Sequence, residues 1–288
     1  MAFPEKPEAF DTMLGVPSNR TSWQKDFGTL VRDPGSAQMR HAAGYMFKDL
    51  PEVDENADYG DWLVLEMDRW GVAKGMLPVR FDPDDLGAAA VRAHPDRLVG
   101  SYHVDPNRGM DDVRALKRAV RELGVVAATC FPCGTQPQVP INGPLMYPLY
   151  AACVELGIPM FINVGVPGPR FPMMPQHAEH LDEVCYDFPE LVLVTRHGGE
   201  PWCDLLVKLM LKWPGLHYST SAFAPKHYPK AIIDYANTRG ADKVMYAGYF
   251  PMGLSLERIF TELPKVGFRD EVWPKFLREN AMRVLRLS

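Results

Sequence analysis

Apolar residues recur along this chain in short, regularly spaced runs. Eight of them, at 10–14, 72–79, 98–104, 125–130, 159–164, 191–195, 216–220 and 243–246, have the length and composition of strands. Helical patterns lie between most of them. Residues 110–123 set Val113, Leu116, Val120 and Leu123 on one face, and residues 147–156 run up to Gly157. Strands alternating with crossover helices predict right-handed βαβ units and a parallel sheet. Eight such units predict a closed (β/α)8 TIM barrel, an α/β fold.

Two stretches break the rhythm. Residues 16–58 are polar, punctuated by Pro and Gly, and too long for a simple connection, so they read as an elaborated loop over the barrel mouth. Residues 166–180 carry Pro167, Pro169, Pro172 and Pro175, which exclude helix from the first half of the segment. These loops follow the first and fifth strands, so both belong to the C-terminal face, where barrel enzymes hold their chemistry. They are the natural substrate lid.

Composition narrows the function. At 288 residues and 47% hydrophobic, the chain is read as one barrel domain, 1–288, with enough apolar content for a sizeable core. A net charge of −5 with no basic cluster argues against nucleic acid as a partner and leaves a small molecule. No apolar run reaches membrane-spanning length, and the N-terminus lacks a secretory pattern, so a cytoplasmic protein is expected. Five scattered cysteines suit a reducing compartment, and Cys130-Phe131-Pro132-Cys133 reads as a strand-end loop rather than a redox motif.

Four segments carry a resemblance. They read Ala9-Phe10-Asp11-Thr12-Met13-Leu14-Gly15, Phe161-Ile162-Asn163-Val164-Gly165, Val194-Thr195-Arg196-His197-Gly198-Gly199 and Tyr246-Ala247-Gly248-Tyr249-Phe250-Pro251. Around them stand Asp187-Phe188-Pro189-Glu190-Leu191, Trp202, Ser219-Thr220-Ser221 and Glu279-Asn280-Ala281. This frame, spanning nearly the whole chain, resembles the amidohydrolase-related family that includes the aminocarboxymuconate-semialdehyde and resorcylate decarboxylases. There the four places read Asp-x-His-x-His, His-x-Gly, His-x-Gly-Gly and Gly-Ser-Asp-Tyr-Pro. The resemblance implies an amidohydrolase-like TIM barrel and a homodimer.

It also implies a zinc site, which this chain does not reproduce. The family's paired histidines become Met13 and Gly15, the fifth-strand histidine becomes Asn163, and the eighth-strand aspartate becomes Tyr249. A thioether, a missing side chain, an amide and a phenol replace three imidazoles and a carboxylate, so no metal and no other cofactor is expected. Gln176-His177-Ala178-Glu179-His180 lacks the His-Glu-x-x-His spacing and suits a lid-packing role better than a ligand pair.

His197 survives from the resembling enzymes and is the expected acid/base, since an imidazole titrates near neutral pH without a metal. Tyr249 and Asn163 are the expected polar stabilisers of a developing oxyanion. Met13, Asp11, Arg80, His103, Arg170 and Glu200 complete the expected substrate contacts. Arg80 and Arg170 are offered as carboxylate clamps, His103 as a second proton carrier and Glu200 as an orienter of His197. Met13, Met160, Met173, Met174 and Met252 suggest an adaptable apolar pocket.

Loss of the metal removes the ready hydroxide that it would supply. The expectation is therefore a metal-independent hydrolase or carbon–carbon lyase, of decarboxylase or retro-aldol type, acting on an apolar, oxygenated, cyclic metabolite. The rival is a catalytically inactive ligand-binding or partner subunit of the same fold.

Overall fold

The computed structural model describes residues 3–17, 20, 23–47, 50–54 and 56–287. Eight strands form one sheet in sequence order: β1 (Ala9–Asp11), β2 (Val72–Pro78), β3 (Leu98–His103), β4 (Val125–Cys130), β5 (Met160–Asn163), β6 (Leu193–Arg196), β7 (Leu216–Ser219) and β8 (Val244–Met245). Every neighbouring pair is parallel. The sheet curls until its edges meet. Thr12 donates from its amide and its hydroxyl to the Tyr246 carbonyl at 3.4 and 2.8 Å, and Leu14 bridges Phe250 in parallel register. This is the TIM-barrel arrangement that the alternation predicts.

The helices follow from their patterns. Met110–Leu123 buries Val113 and Leu116 and packs Val120 and Leu123 partly against the core, then stops at Gly124, whose φ of 61° a Cβ would disfavour. Helix Tyr147–Leu156 ends the same way at Gly157. Differences from the expected strands lie at the ends. The sixth begins two residues late, because Leu191 still closes a turn onto the Phe188 carbonyl, and the eighth is only two residues long.

Two apolar clusters result. One lies between the sheet and its surrounding helices. The other fills the barrel interior with Phe10, Met76, Ala127, Phe161, Val194 and Met245, and is plugged by Ala281, Val284 and Leu285 from the C-terminal helix. Strand side chains alternate, so the next inward positions towards the C-terminal face include Thr129, Asn163 and Arg196. The interior layer thus fixes which residues meet the cavity above it.

The long first loop is more structured than expected. It holds a short helix, Trp23–Phe27, and a turn of helix, Pro34–Ala37, whose Asp33 cap accepts from Ser36 N at 2.8 Å. Within the fifth loop, Met174–Gln176 forms a 3-10 turn. Gln176 anchors that loop by donating to the Gly165 carbonyl at 3.0 Å.

Asp11 belongs to this framework rather than to the substrate contacts expected of it. Fully buried, it does not line the cavity, and its Oδ1 accepts from the Met13 and Gly248 amides at 2.9 Å each. It thereby pins the first strand to the eighth. Its Oδ2 and the Tyr246 hydroxyl are buried facing each other, and a Cβ on Gly248 would collide with both. Burial raises the Asp11 pKa to about 6, against the lowering effect of its two backbone hydrogen bonds, the Tyr246 hydroxyl and the Arg196 charge.

A pKa raised on folding means that the native state holds this proton more tightly than the unfolded chain. Stability from Asp11 is then fully present below pH 3.8 and is lost as the pH rises through about 6. Asp11→Asn stays neutral and escapes the loss. Urea unfolding should show the variant gaining on the parent by on the order of 3 kcal/mol between pH 4 and pH 7. A stability difference constant with pH would contradict this.

Candidate functional site

A cavity of about 650 Å³ opens at the C-terminal end of the barrel, a size suited to a small organic ligand. Strand ends supply Met13, Arg80, His103, Thr129, Asn163, Arg196, His197 and Tyr249. The two long loops roof it with Phe27, Met46 and Phe47 on one side and Val166 and Pro167 on the other. They are fastened to each other: Tyr45 donates its hydroxyl to the Gly168 carbonyl at 2.5 Å, and Arg170 pairs with Asp33 at 2.8 Å.

His197 reaches this cavity through an unusual backbone. It adopts φ of 63°, followed by Gly198 and Gly199 at 74° and 64°, so the chain turns left-handed for three residues just past β6. The turn breaks the strand alternation and lets Arg196 and His197, adjacent in sequence, both line the cavity. Tyr249 is also left-handed, at φ of 58°. Strained backbone at two polar cavity residues is the kind of local cost that a functional site retains.

The His197 ring faces Ser221, whose Oγ lies 3.3 Å from Nδ1 and also accepts from the His197 amide at 3.0 Å. Nε2 has no partner among the described residues. The Tyr249 ring meets the imidazole edge-on with centroids 5.3 Å apart, and its hydroxyl is likewise unpartnered. Burial, reinforced by the neighbouring Arg196 charge, lowers the His197 pKa to about 3. Both effects favour the neutral imidazole and shift its titration below the neutral range expected of it. Burial pushes the Tyr249 phenol up to about 12 against the pull of Arg196, so it too stays neutral, with a proton to donate.

Other expected residues distribute unevenly. His103 lines the cavity with Nδ1 3.3 Å from the Thr129 hydroxyl; its side chain is exposed at the cavity surface, and the cavity walls with the nearby Arg80 and Arg196 charges lower its pKa. Arg80 also lines the cavity, but its guanidinium is paired to Asp26 at 2.9 Å. Arg170 stands outside, occupied in strapping the loops together. Glu200 is exposed, does not line the cavity and makes no hydrogen bond to His197. Of the five methionines, Met13 and Met252 line the cavity, Met160 is in the core, and Met173 and Met174 face outward. His177 packs on Trp202 with ring centroids 4.0 Å apart, and His180 Nε2 lies 3.1 Å from the Met174 carbonyl, in keeping with packing roles.

Sequence reasoning overlooked Arg196 and Ser221. The signal for Arg196 was available: Val194 points inward, so the residue two further on does too, and a charge there must face the cavity. Ser221 carried no such signal, since its place beside His197 depends on the left-handed turn.

The places that the resemblance assigns to metal ligands do not fit a divalent cation. Met13 offers a thioether, Asn163 an amide and Tyr249 a protonated phenol. At Gly15 a Cβ would collide with the Met252 side chain, which fills the space of a ligand there. The Arg196 guanidinium stands alongside, a positive charge opposed to a second one. Among the described residues, no three His, Cys, Asp or Glu side chains gather into a metal-ligating group. All five cysteines are free and buried, and among the described residues no helix is long and apolar enough to cross a membrane.

Among solved structures, an uncharacterized TIM-barrel protein from Bordetella bronchiseptica aligns at a TM-score of 0.76 and 22% identity, covering 96% of this chain and 98% of its own. The 5-carboxyvanillate decarboxylase of Sphingomonas paucimobilis aligns at 0.66 and 16% identity, covering 97% and 99%. That of Novosphingobium aromaticivorans, solved with manganese and a nitrobenzoic acid, aligns at 0.65 and 18%, covering 97% and 95%. Likeness at these identities concerns the fold. No curated protein matches the sequence. The amidohydrolase family model matches residues 40–287, most of the barrel including the segments around Asn163, His197 and Tyr249, and by that match the chain belongs to the amidohydrolase family.

Proposed function

We propose that this protein is a metal-independent carbon–carbon lyase or hydrolase of the amidohydrolase family, acting on a small, apolar, oxygenated and cyclic molecule. One observation carries the reading. A cavity of ligand size brings together His197 Nε2 and the Tyr249 hydroxyl, both without a hydrogen-bond partner among the described residues and both on left-handed backbone, with Asn163 and Arg196 beside them. Donors already fixed in place stabilise developing negative charge at little reorganisation cost.

The site favours lyase chemistry over hydrolysis. Hydrolysis needs an activated water, and among the described residues no donor set gathers to hold a metal that would supply hydroxide. Decarboxylation or retro-aldol cleavage asks instead for a place to hold the electron pair released when the carbon–carbon bond breaks. Tyr249 and Asn163 donate to the resulting enolate oxygen. His197, neutral, exchanges a proton with the ligand through Nε2. The manganese-bound decarboxylase of the same fold lends support to the reaction class, though its metal chemistry has no matching donor set here.

A second reading, a ligand-binding or partner subunit, draws on a different observation. Among the described residues no carboxylate hydrogen-bonds His197, so the imidazole has no such orienter there, of the kind that strengthens many catalytic histidines.

Three outcomes are expected. Elemental analysis of purified protein should find zinc, manganese and iron each well below one per chain, and chelation should change neither melting temperature nor activity. One tightly held divalent ion per chain would overturn the metal-independent reading. In a turnover screen of keto acids, aromatic acids and lactones, Tyr249→Phe should lower kcat by on the order of a hundredfold through loss of one oxyanion donor. His197→Asn should lower it by roughly two to four orders of magnitude, with ligand affinity moving much less, and His197 should give the parent profile no limb near neutral pH. A ligand that binds parent and both variants tightly but is converted by none would establish the binding-protein reading.

A further inference from the structure

Arg196 is a buried cation with no ion-pair partner among the described residues. It is 8% exposed, and what remains exposed lines the cavity. Its Nη2 reaches the Thr12 carbonyl at 3.5 Å, the limit of a hydrogen bond, and its Nε is buried with no partner at all. Its guanidinium carbon sits 5.2 Å from the centre of the Phe161 ring, which forms the interior layer beneath. Among the described residues, no carboxylate comes within ion-pair distance of it. Burial lowers its pKa only to about 10, so it keeps its charge at neutral pH.

Burying a charge without a counter-charge costs several kcal/mol, and proteins rarely leave it uncompensated. The other cavity arginines are already matched at the rim, Arg80 with Asp26 and Arg40 with Glu52. The unmatched positive charge therefore sits deep in the cavity, with apolar walls above it from Met13, Phe47, Val166, Phe223 and Met252.

We propose that Arg196 is the specificity-determining residue of the cavity, taking the carboxylate of a monoanionic ligand whose apolar body packs under the two loops. The planar guanidinium matches a carboxylate with two parallel hydrogen bonds, and Asn163, its register partner on β5, supplies a further amide donor beside it. Lys25 lines the cavity too, but it is exposed to solvent; the desolvated cation is Arg196, and it selects one negative charge. The inference rests on the reading that this cavity is the working site, and it names the ligand class independently of turnover.

The test is calorimetric titration with benzoate, cinnamate and cyclohexanecarboxylate, each beside its own neutral amide, in low salt at pH 7.5. At least one acid should bind about tenfold or more tighter than its amide, the usual worth of hydrogen bonds to a charged group. Arg196→Met should bring acid and amide to parity, and Arg196→Lys, which keeps the charge without the planar fork, should recover part of the difference. A purely structural Arg196 would alter melting temperature but leave the acid-to-amide ratio intact. Should the variants fail to fold, the comparison in the parent protein decides. The inference is overturned if every acid binds no better than its amide, if neither class binds, or if Arg196→Met keeps the preference. Turnover without acid preference would leave the proposed function standing and remove this inference. Acid preference without turnover would do the reverse.

Discussion

A guanidinium buried at the mouth of the barrel, with no ion-pair partner among the described residues, shapes the chemistry of its surroundings. Arg196 opposes protonation of His197, and desolvation acts in the same direction. It also pulls back the Tyr249 phenol, which burial alone would raise further. The result is a cluster of neutral donors and acceptors around one fixed positive charge. The coupling is reciprocal. An anion seated on Arg196 would cancel its charge and relieve one of the two causes that depress His197, making the imidazole a better proton acceptor once ligand is bound.

The framework that holds this charge depends on a second buried ionisable group. Asp11 joins β1 to β8 through the Met13 and Gly248 amides, and so sets the places of Met13 and Tyr249 on opposite sides of the seam. Gly248 has no room for a side chain beside the Asp11 carboxyl, and Gly15 has none beside Met252. The close approach of the first and eighth strands therefore fixes the shape of the cavity at that seam. Above it, the Tyr45–Gly168 hydrogen bond and the Arg170–Asp33 pair make the two loops one roof.

The barrel was legible because its signals are local and repeated: apolar runs of strand length, helices with one apolar face, and glycines at helix ends. Residues whose places depend on strand alternation were partly legible. Asn163 faces the cavity from the end of β5, as the pattern implies. What escaped were contacts made by distant segments. Arg80 and Arg170 had the right chemistry for a substrate carboxylate, but Asp26 and Asp33 of the first loop take their charges, and no local pattern foretells that pairing. Asp11 kept the family's acidic position yet turned into the seam. Arg196 was hidden by its neighbour. Alternation places Arg196 and His197 on opposite faces, and only the left-handed turn at 197–199 brings both to the same cavity.

The central claim is that burial and the Arg196 charge together hold the site in neutral forms around a fixed cation. The most direct measurement is an NMR titration of the His197 ring nitrogens, assigned by comparison with His197→Asn, in the parent protein and in Arg196→Met. The account predicts a His197 that stays neutral down to pH 5 in the parent, and a midpoint that moves upward when Arg196 is replaced. A parent midpoint near the ordinary imidazole value of about 6.5, unmoved by the substitution, would contradict it.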